Sequence, residues 1–277
     1  MPHFQVSDGR LFYRDEGEGP VLVIAHGTPT HSGEYAKLIE SLKDRYRVLA
    51  LDHLGFGASD KPVDADYSLA AHRRRFREWL TMLKIDACHL LVHDFGAVIA
   101  LPAVLEPRPV VSGVILLNTW LWPLIETEPQ MKSQARLLQW GVLPWLYRSF
   151  NFSPRVLLKM AWGRKNPLTR ERHRHYMDQF PTARDREGAV GFMRALFDFG
   201  APAWRNDDIL KRLRELPVLI AWGLEDRLIG PRNLARWRSE LPYARVMTFD
   251  QVGHFVAEEN TAELSALLGE WLERKSP

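Results

Sequence analysis

The sequence predicts an α/β fold: a mostly parallel sheet with helices on both faces and a helical segment inserted between two strands. Two observations predict it. Short apolar runs of strand length alternate with helical patterns over the first 120 residues, and a later stretch of roughly eighty residues has no strand-like run. Strands that are apolar on both sides and separated by helices are typical of parallel sheets covered on both faces.

The predicted elements follow in order along the chain. The opening segment FQVSDGRLFYRDEG alternates apolar and polar residues around an Asp-Gly turn, which predicts an antiparallel hairpin at the sheet edge. Continuous apolar runs predict buried strands at 21–27, 47–52, 87–94, 111–119, 216–223 and 244–250. Helical spacing of apolar residues predicts helices at 34–43, 68–83, 96–106, 231–240 and 256–273.

The inserted segment is rich in aromatic residues, arginines and prolines. Its helical patterns lie around 131–141, 153–162, 169–179 and 186–198. Because a strand-like run returns only at 216, the insertion interrupts one sheet rather than separating two. The sequence therefore predicts an α/β core formed by residues 1–122 and 206–277, with residues 123–205 as a helical cap.

The composition is that of an ordinary globular protein. The 277 residues are 46% hydrophobic and 26% charged, and the net charge of +3 is too weak to indicate nucleic-acid binding. The N-terminus lacks a signal-peptide pattern, and no apolar run approaches the roughly 18 residues that cross a bilayer. The single cysteine, Cys88, allows neither an intramolecular disulfide nor a cysteine-based metal cluster. We expect a cytoplasmic protein without a nucleic-acid or membrane partner, whose oligomeric state is not predictable.

An aspartate occupies the turn after the third buried strand. In the segment VHDFG, a strand ends, Asp94 stands at the turn, and a helix begins with Gly96 and Ala97. This strand–turn–helix context projects a nucleophile above a sheet, although Val92 replaces the usual first glycine. No G-x-S-x-G segment occurs in the chain. Two interpretations of Asp94 remain open at this point: a nucleophile, or an N-cap for the following helix.

Two further residues favour the nucleophile. Asp226 follows strand 216–223 in the segment GLEDRLIG, and His254 lies at the entry of the last helix in QVGHFVAEE. Both come just past the carboxyl end of a predicted strand, the edge at which open α/β sheets bind ligands. The chain order 94, 226, 254 therefore predicts a nucleophile, an acid and a base at one site.

The loop AHGTPT after strand 21–27 supplies the fourth part of the predicted site. Its backbone turns sharply, so that its N–H groups can face the same space as the N–H of the residue after the nucleophile. We expect the backbone N–H groups of Thr28 and Phe95 to form an oxyanion hole. His26 is expected to hold this loop by hydrogen bonding.

Five segments together carry a resemblance to a known family. HGTPT, LDHLGFGASDKP, LVHDFGAVIAL, GLEDRLIGP and VGHFVAEE resemble the α/β-hydrolase superfamily, and most closely the haloalkane dehalogenase family. The similarity extends over essentially the whole chain and is weaker in the cap, where 176–196 resembles the end of a dehalogenase cap. The resemblance implies the α/β-hydrolase fold with Asp226 as the acid. The family's alternative acid position holds Asn118, which cannot be an anion.

An aspartate nucleophile implies a specific chemistry. A carboxylate is anionic at neutral pH, so it can displace a leaving group from saturated carbon directly. The implied intermediate is an alkyl ester on Asp94, which His254, oriented by Asp226, hydrolyses by activating a water. We expect a small apolar organic substrate and water as the reactants. We expect neither a cofactor nor a metal, because the His and Asp residues lack ligand spacing.

The resemblance departs from the family at the halide-binding residues. Dehalogenases have a tryptophan directly after the nucleophile, and many have an asparagine in the HGN loop, whereas this chain has Phe95 and Thr28. Trp120 is the favoured replacement for the missing N–H donor. The further candidates for halide or substrate binding are Trp122, Asn118 and Tyr176, followed by the cap tryptophans Trp140, Trp145 and Trp162.

Two alternatives to a dehalogenase stay open. An epoxide hydrolase would keep the same three residues, and HGTP fits that family's H-G-x-P loop. It would need acidic hydroxyls from the cap, whose only tyrosines are Tyr147 and Tyr176. The third reading is a non-catalytic relative that binds a ligand in the same pocket.

Overall fold

An eight-stranded sheet lies at the centre of the computed structural model, which describes residues 2–104, 109–204 and 206–273. The strands are β1 (His3–Val6), β2 (Gly9–Glu16), β3 (Val21–Ala25), β4 (Arg47–Leu51), β5 (Ala87–Asp94), β6 (Val110–Thr119), β7 (Val218–Gly223) and β8 (Arg245–Phe249). Their order in the sheet is β1-β2-β4-β3-β5-β6-β7-β8. β2 runs antiparallel to both of its neighbours, and the other neighbouring pairs are parallel. The predicted α/β fold with an antiparallel edge hairpin is confirmed.

The α-helices of the described ranges are α1 (Ala36–Leu42), α2 (Leu69–Met82), α3 (Phe95–Val104), α4 (Met131–Gln139), α5 (Val142–Phe150), α6 (Leu158–Ala161), α7 (Arg170–Asp178), α8 (Glu187–Phe197), α9 (Asp207–Leu213), α10 (Pro231–Glu240), α11 (Val256–Glu259) and α12 (Thr261–Glu273). A π-helical turn, Ser153–Leu157, leads directly into α6. Among these helices, none combines the length and the apolar character that crossing a membrane would require. Some predicted positions lie outside the described residues: 105 and 106 of the predicted helix 96–106, residue 205 of the cap, and residues 1 and 274–277 of the core.

Helices cover both faces of the sheet. Along β3, Leu22 and Ile24 pack in one core cluster with residues of α1 and α12. Val23 and Ala25 point the other way and pack in a second cluster with residues of α2, α3 and α10. Because successive strand side chains alternate between faces, a strand that is apolar at every position must be buried on both sides. This packing explains the continuous apolar runs of the sequence.

The segment between β6 and β7 is helical throughout its described part. Helices α4 to α8 lie between residues 123 and 204. Helix α5 is absent from the sequence-based predictions, because it contains Pro144 within an aromatic run. Pro144 is the third residue of the helix, where an N–H has no intrahelical acceptor, so a proline costs little there. The division of the chain into a core and a cap of residues 123–205 stays a prediction.

Candidate active site

Asp94 stands at a sharp junction between a strand and a helix. β5 ends at Asp94 and α3 begins at the next residue, and Asp94 has a φ of 51°, in the left-handed region. A Cβ on Gly96 would lie 2.1 Å from the carbonyl oxygen of Ala25, so only glycine lets α3 approach β3 this closely. A non-glycine residue held at positive φ is uncommon and is typical of functional turns.

The carboxylate of Asp94 is held between two partners. Its Oδ1 accepts a hydrogen bond of 2.8 Å from the backbone N–H of Thr28, and its Oδ2 lies 3.3 Å from Nε2 of His254. The second contact is not aligned as a hydrogen bond. Burial raises the pKa of Asp94, but the contact with His254 and the charge of that residue lower it below its usual value overall. Asp94 is therefore an anion at neutral pH.

His254 connects Asp94 to a second carboxylate. Its Nδ1 lies 2.6 Å from Oδ2 of Asp226, and its side chain is fully buried. Burial lowers the pKa of His254, but the negative charges of Asp226 and Asp94 outweigh this effect and raise the pKa to about 10. In the resting molecule His254 is therefore protonated at neutral pH, between two carboxylates.

Asp226 is fixed from both of its oxygens. Oδ1 accepts hydrogen bonds of 2.8 and 3.0 Å from the backbone N–H groups of Leu228 and Ile229, and Oδ2 accepts one of 2.8 Å from Nδ2 of Asn118. Asn118 also bonds the backbone of Gly223 through both its amide nitrogen and its oxygen. These bonds occupy its amide, and Asn118 does not line the cavity around Asp94. Its role in halide or substrate binding stays a prediction.

The loop after β3 places Thr28 beside Asp94. The ring of His26 accepts the N–H of His53 at Nε2, so its Nδ1 carries a proton and donates to the carbonyl of Gly27 at 2.7 Å. A Cβ on Gly27 would meet Oδ1 of Asp94 at 2.0 Å, which explains why a glycine precedes Thr28. The structure thus brings one predicted oxyanion donor, the Thr28 N–H, to the Asp94 carboxylate. The Phe95 N–H, at the first residue of α3, stays a prediction.

A largely apolar cavity of about 410 Å³ opens onto Asp94. Its floor includes Thr28, Phe95 and Trp120 from the sheet edge. Its walls come mainly from the helices between β6 and β7, where the lining residues include Met131, Leu143, Leu146, Tyr147, Leu157 and Met193. A concave, apolar site with few polar groups is typical of a binding pocket for a small organic molecule.

Two donors in this cavity lack a partner. The indole N–H of Trp120 and the hydroxyl of Thr28 are both buried, and neither makes a hydrogen bond within the described part of the chain. The ring of Trp120 packs edge-on against Phe95, with 5.1 Å between ring centroids. Buried donors are normally satisfied, so two unpaired ones beside a nucleophile suit an electron-rich group of a ligand.

Two other candidate ligand-binding residues lie outside the cavity, and their role in binding stays a prediction. The indole N–H of Trp122 donates to Oδ1 of Asn233 at 2.9 Å, and the hydroxyl of Tyr176 donates to Oε1 of Glu258 at 2.7 Å. Neither residue lines the cavity around Asp94. Both side chains therefore complete internal hydrogen bonds of the fold and leave no donor for a substrate.

Trp140, Trp145 and Trp162 likewise do not line the cavity around Asp94. Trp140 and Trp145 are 74% and 54% exposed, and Trp162 donates its N–H to the carbonyl of Asn166. Of the two cap tyrosines, Tyr147 alone lines the cavity, and burial raises its pKa further. Sequence reasoning did not identify the aliphatic lining of α5, because Pro144 in its short sequence argued against a helix there.

Comparisons with known proteins agree with this architecture. Residues 20–261 match the model of the alpha/beta hydrolase fold family. A cis-3-alkyl-4-alkyloxetan-2-one decarboxylase of Xanthomonas campestris pv. campestris is 31% identical, over 95% of this chain and 92% of that protein. Haloalkane dehalogenase 2 of Mycobacterium tuberculosis is 28% identical, over 96% of this chain and 92% of that protein.

Solved structures of haloalkane dehalogenases superpose over nearly the whole chain. An ancestral haloalkane dehalogenase has a TM-score of 0.84 at 24% identity and covers 99% of both chains. Haloalkane dehalogenase DbeA from Bradyrhizobium elkani has a TM-score of 0.85 at 20% identity, covering 99% of this chain and 97% of that one. At such identities the likeness establishes the fold.

Proposed function

The chain belongs to the alpha/beta hydrolase fold family, and on that premise we propose that it is a hydrolase acting through an alkyl ester on Asp94, as in a haloalkane dehalogenase. The observation that carries the proposal is the geometry around Asp94. An ionised carboxylate on a strand–helix turn faces an apolar cavity, with the imidazole of His254 on one side and the N–H of Thr28 on the other. We also propose that residues 123–205 act as the cap that closes this cavity.

In the first step, an oxygen of Asp94 attacks a saturated carbon of the substrate. A carbon–oxygen bond forms as the carbon–halogen bond breaks, and the halide leaves with the electron pair of that bond. The indole N–H of Trp120 and the hydroxyl of Thr28 stabilise the departing anion, because they are the unpaired donors in the cavity. Phe95 has no side-chain N–H and contributes apolar contact.

In the second step, the loss of charge on Asp94 lowers the pKa of His254. Once Asp94 is an uncharged ester, one of the two carboxylates that raise the pKa of His254 is gone, so the pKa falls and the imidazole releases its proton. Neutral His254 then takes a proton from a water, whose oxygen attacks the ester carbon of Asp94. The oxyanion formed there faces the N–H of Thr28, and its collapse releases the alcohol.

A trapping experiment tests this mechanism. His254→Gln removes the base, so we expect treatment with 1-bromobutane to add one butyl group to the peptide that contains Asp94, detected by mass spectrometry. The matched control is Asp94→Asn/His254→Gln, which should add none. Failure to label the single variant after bromide has been released would contradict an ester on Asp94. With the unsubstituted chain in ¹⁸O-water, a first turnover should place the heavy oxygen in Asp94 and not in the alcohol.

We propose a second candidate, decarboxylation of an oxetan-2-one. It is supported by Phe95, which replaces a halide donor, and by the oxetan-2-one decarboxylase that is 31% identical. Asp94 would attack the saturated ring carbon that is bonded to the ring oxygen. The bond between that carbon and the ring oxygen would break, which frees a carboxylate that stays tethered to the substrate. Loss of carbon dioxide would then form a carbon–carbon double bond and expel the Asp94 carboxylate. This reaction consumes no water. The donors of Trp120 and Thr28 would bind the freed carboxylate.

Parallel assays separate the candidates. The native chain and Asp94→Asn are given 1-bromobutane, 1,2-epoxyhexane and a cis-3,4-dialkyloxetan-2-one, and bromide, diol and alkene are measured. Bromide alone selects the dehalogenase, and alkene alone selects the decarboxylase. Diol would select the epoxide hydrolase, whose ring opening would have to rely on Tyr147, since Tyr176 does not line the cavity. Reversible binding without any product would favour a ligand-binding protein.

A further inference from the structure

A second buried carboxylate–imidazole pair lies next to the catalytic histidine and has no part in the proposed reaction. Nδ1 of His93 lies 3.1 Å from Oε1 of Glu34, and the two side chains are 1% and 0% exposed. His93 immediately precedes the nucleophile on β5, and Glu34 comes from the short 3₁₀ segment Ser32–Tyr35. Neither residue lines the cavity around Asp94.

The hydrogen bonds of His93 fix where its protons lie. Nε2 of His93 is 3.0 Å from the backbone carbonyl of His254, and a carbonyl only accepts, so this nitrogen carries a proton. Nδ1 lies 3.1 Å from Oε1 of Glu34, and although the two atoms are not aligned as a hydrogen bond, a carboxylate at this distance favours a positive charge on the ring. Oε2 of Glu34 accepts a hydrogen bond of 2.5 Å from the hydroxyl of Thr30, a length typical of a bond to a carboxylate.

The electrostatic environment of Glu34 supports the ionised form. Burial raises the pKa of this carboxyl, but the charge of His93 and hydrogen bonds from His93 and Thr30 lower it below its usual value overall. The other titratable groups that interact with the pair include Asp94, His254, His26, His31, Tyr35, Tyr176 and Glu258.

The pair is close enough to act on the catalytic base. The ring centroids of His93 and His254 are 4.5 Å apart. The groups that face His254 are His93, Asp226, Asp94 and the buried Glu259 of α11. A positive charge on His93 opposes protonation of His254, while the negative charge of Glu34 lies one ring further away and compensates only in part.

We propose that Glu34 keeps His93 as an imidazolium, and that this charge favours the neutral, basic form of His254 once Asp94 is esterified. Glu34 and His93 are in this view positioning residues that set the pH at which ester hydrolysis begins. The catalytic meaning of the inference rests on the proposed function. The protonation of His93 and His254 does not depend on the proposed function, and it can be measured without any substrate.

The test uses Asp94→Asn as an uncharged stand-in for the ester. In this background the ring protonation of His254 and His93 is followed against pH by NMR of ¹⁵N-labelled histidine, with signals assigned from single-histidine variants. Adding Glu34→Gln should raise the pKa of His254 by about one pH unit, a tenfold change in proton affinity. His93→Gln replaces the ring with a side chain that cannot be charged, so it should raise the pKa of His254 by a similar amount. This second variant keeps the test decisive if Glu34→Gln does not fold.

The control is Glu187→Gln, which removes a partly buried carboxylate whose partner is Arg148, away from the Glu34–His93 pair. It should leave the titration of His254 within a few tenths of a unit. An unchanged or lowered pKa of His254 in both test variants overturns the inference. A His93 ring that is neutral at pH 7 in the Asp94→Asn background alone also overturns it. If the ester forms, its hydrolysis in Glu34→Gln should require a higher pH by the same amount. If no substrate esterifies Asp94, the proposed function fails, and the NMR titration still decides this inference.

Discussion

The indole N–H of Trp120 is one of the two groups to which the proposed mechanism assigns stabilisation of the leaving group. Trp120→Phe removes this donor and keeps an aromatic ring against Phe95. A hydrogen bond to an anion contributes roughly 1.5–3 kcal/mol, so we expect the ester-forming step to slow by about 10- to 100-fold. The measurement is single-turnover release of bromide from 1-bromobutane. A rate within threefold of that of the native chain would mean that another group stabilises the leaving halide.

Trp122 offers a matched control for this substitution. Its N–H bonds Asn233, and the guanidinium of Arg236 lies 4.3 Å from its ring centroid, so its contacts are internal to the fold. Trp122→Phe should lower the free energy of unfolding by about 1–3 kcal/mol and leave the ester-forming rate nearly unchanged. The two variants therefore separate an effect on the site from an effect on packing.

The sequence located some of the site residues and not others, for a physical reason. Asp94, Asp226 and His254 each follow a strand, and the carboxyl ends of parallel strands share one sheet edge, so their proximity was predictable. The direction of a tryptophan or tyrosine donor depends on tertiary packing instead. Trp122 and Tyr176 therefore could not be distinguished from Trp120 by sequence, because their acceptors are more than eighty residues away.

Among the strands, β6 and β7 end side by side and could each carry the acid of the site. Asn118 at the end of β6 and His254 contact the same oxygen of Asp226 at 2.8 and 2.6 Å. We expect Asp226→Asn to slow ester hydrolysis by at least 100-fold, because His254 loses the charge that orients it. Asn118→Asp in that background should recover part of the loss, since it returns a carboxylate to the same small volume.

The measurement for this exchange is the rate at which the alkyl ester disappears after a single turnover. Asn118→Asp alone serves as the control. It places two carboxyl groups beside each other, which share a proton and should reduce the rate. If the double variant is no faster than Asp226→Asn, the end of β6 cannot orient His254 in this chain.

Most helices and strands could be predicted because burial produces a recognisable pattern of apolar residues in the sequence. A strand buried on both faces has a continuous apolar sequence: β3, β4, β5 and β7 fall within the predicted runs, and β6 begins one residue before its run. Helix α5 was not predicted, because Pro144 lies inside its short aromatic run VLPWLYRSF. It faces the cavity on one side and exposes Trp145 and Phe150 on the other.

For the molecule as a whole, the helical lining of the cavity is the feature that the sequence did not identify. Its lining combines residues of the sheet edge with residues from α4, α5, the π-helical turn and α8. In its local sequence, each apolar side chain of this lining looks like an ordinary core residue. Their convergence on Asp94 follows from how residues 123–204 lie over the sheet, which depends on contacts between distant segments.

The apolar cavity predicts a preference for uncharged substrates, which two compounds of equal size can test. Bromoacetate would place its carboxylate next to that of Asp94 and beside Phe95, whereas bromoacetamide carries no charge. Burying an unpaired charge costs several kcal/mol, and each 1.36 kcal/mol in the barrier is a factor of ten in rate. We therefore expect kcat/KM for bromide release to be at least about 100-fold higher for bromoacetamide, with release by Asp94→Asn subtracted to remove alkylation of other side chains. Equal values would mean that a cation, such as the Arg227 guanidinium at the cavity wall, reaches the reacting end of the substrate, and the site would then belong to a haloacid rather than a haloalkane.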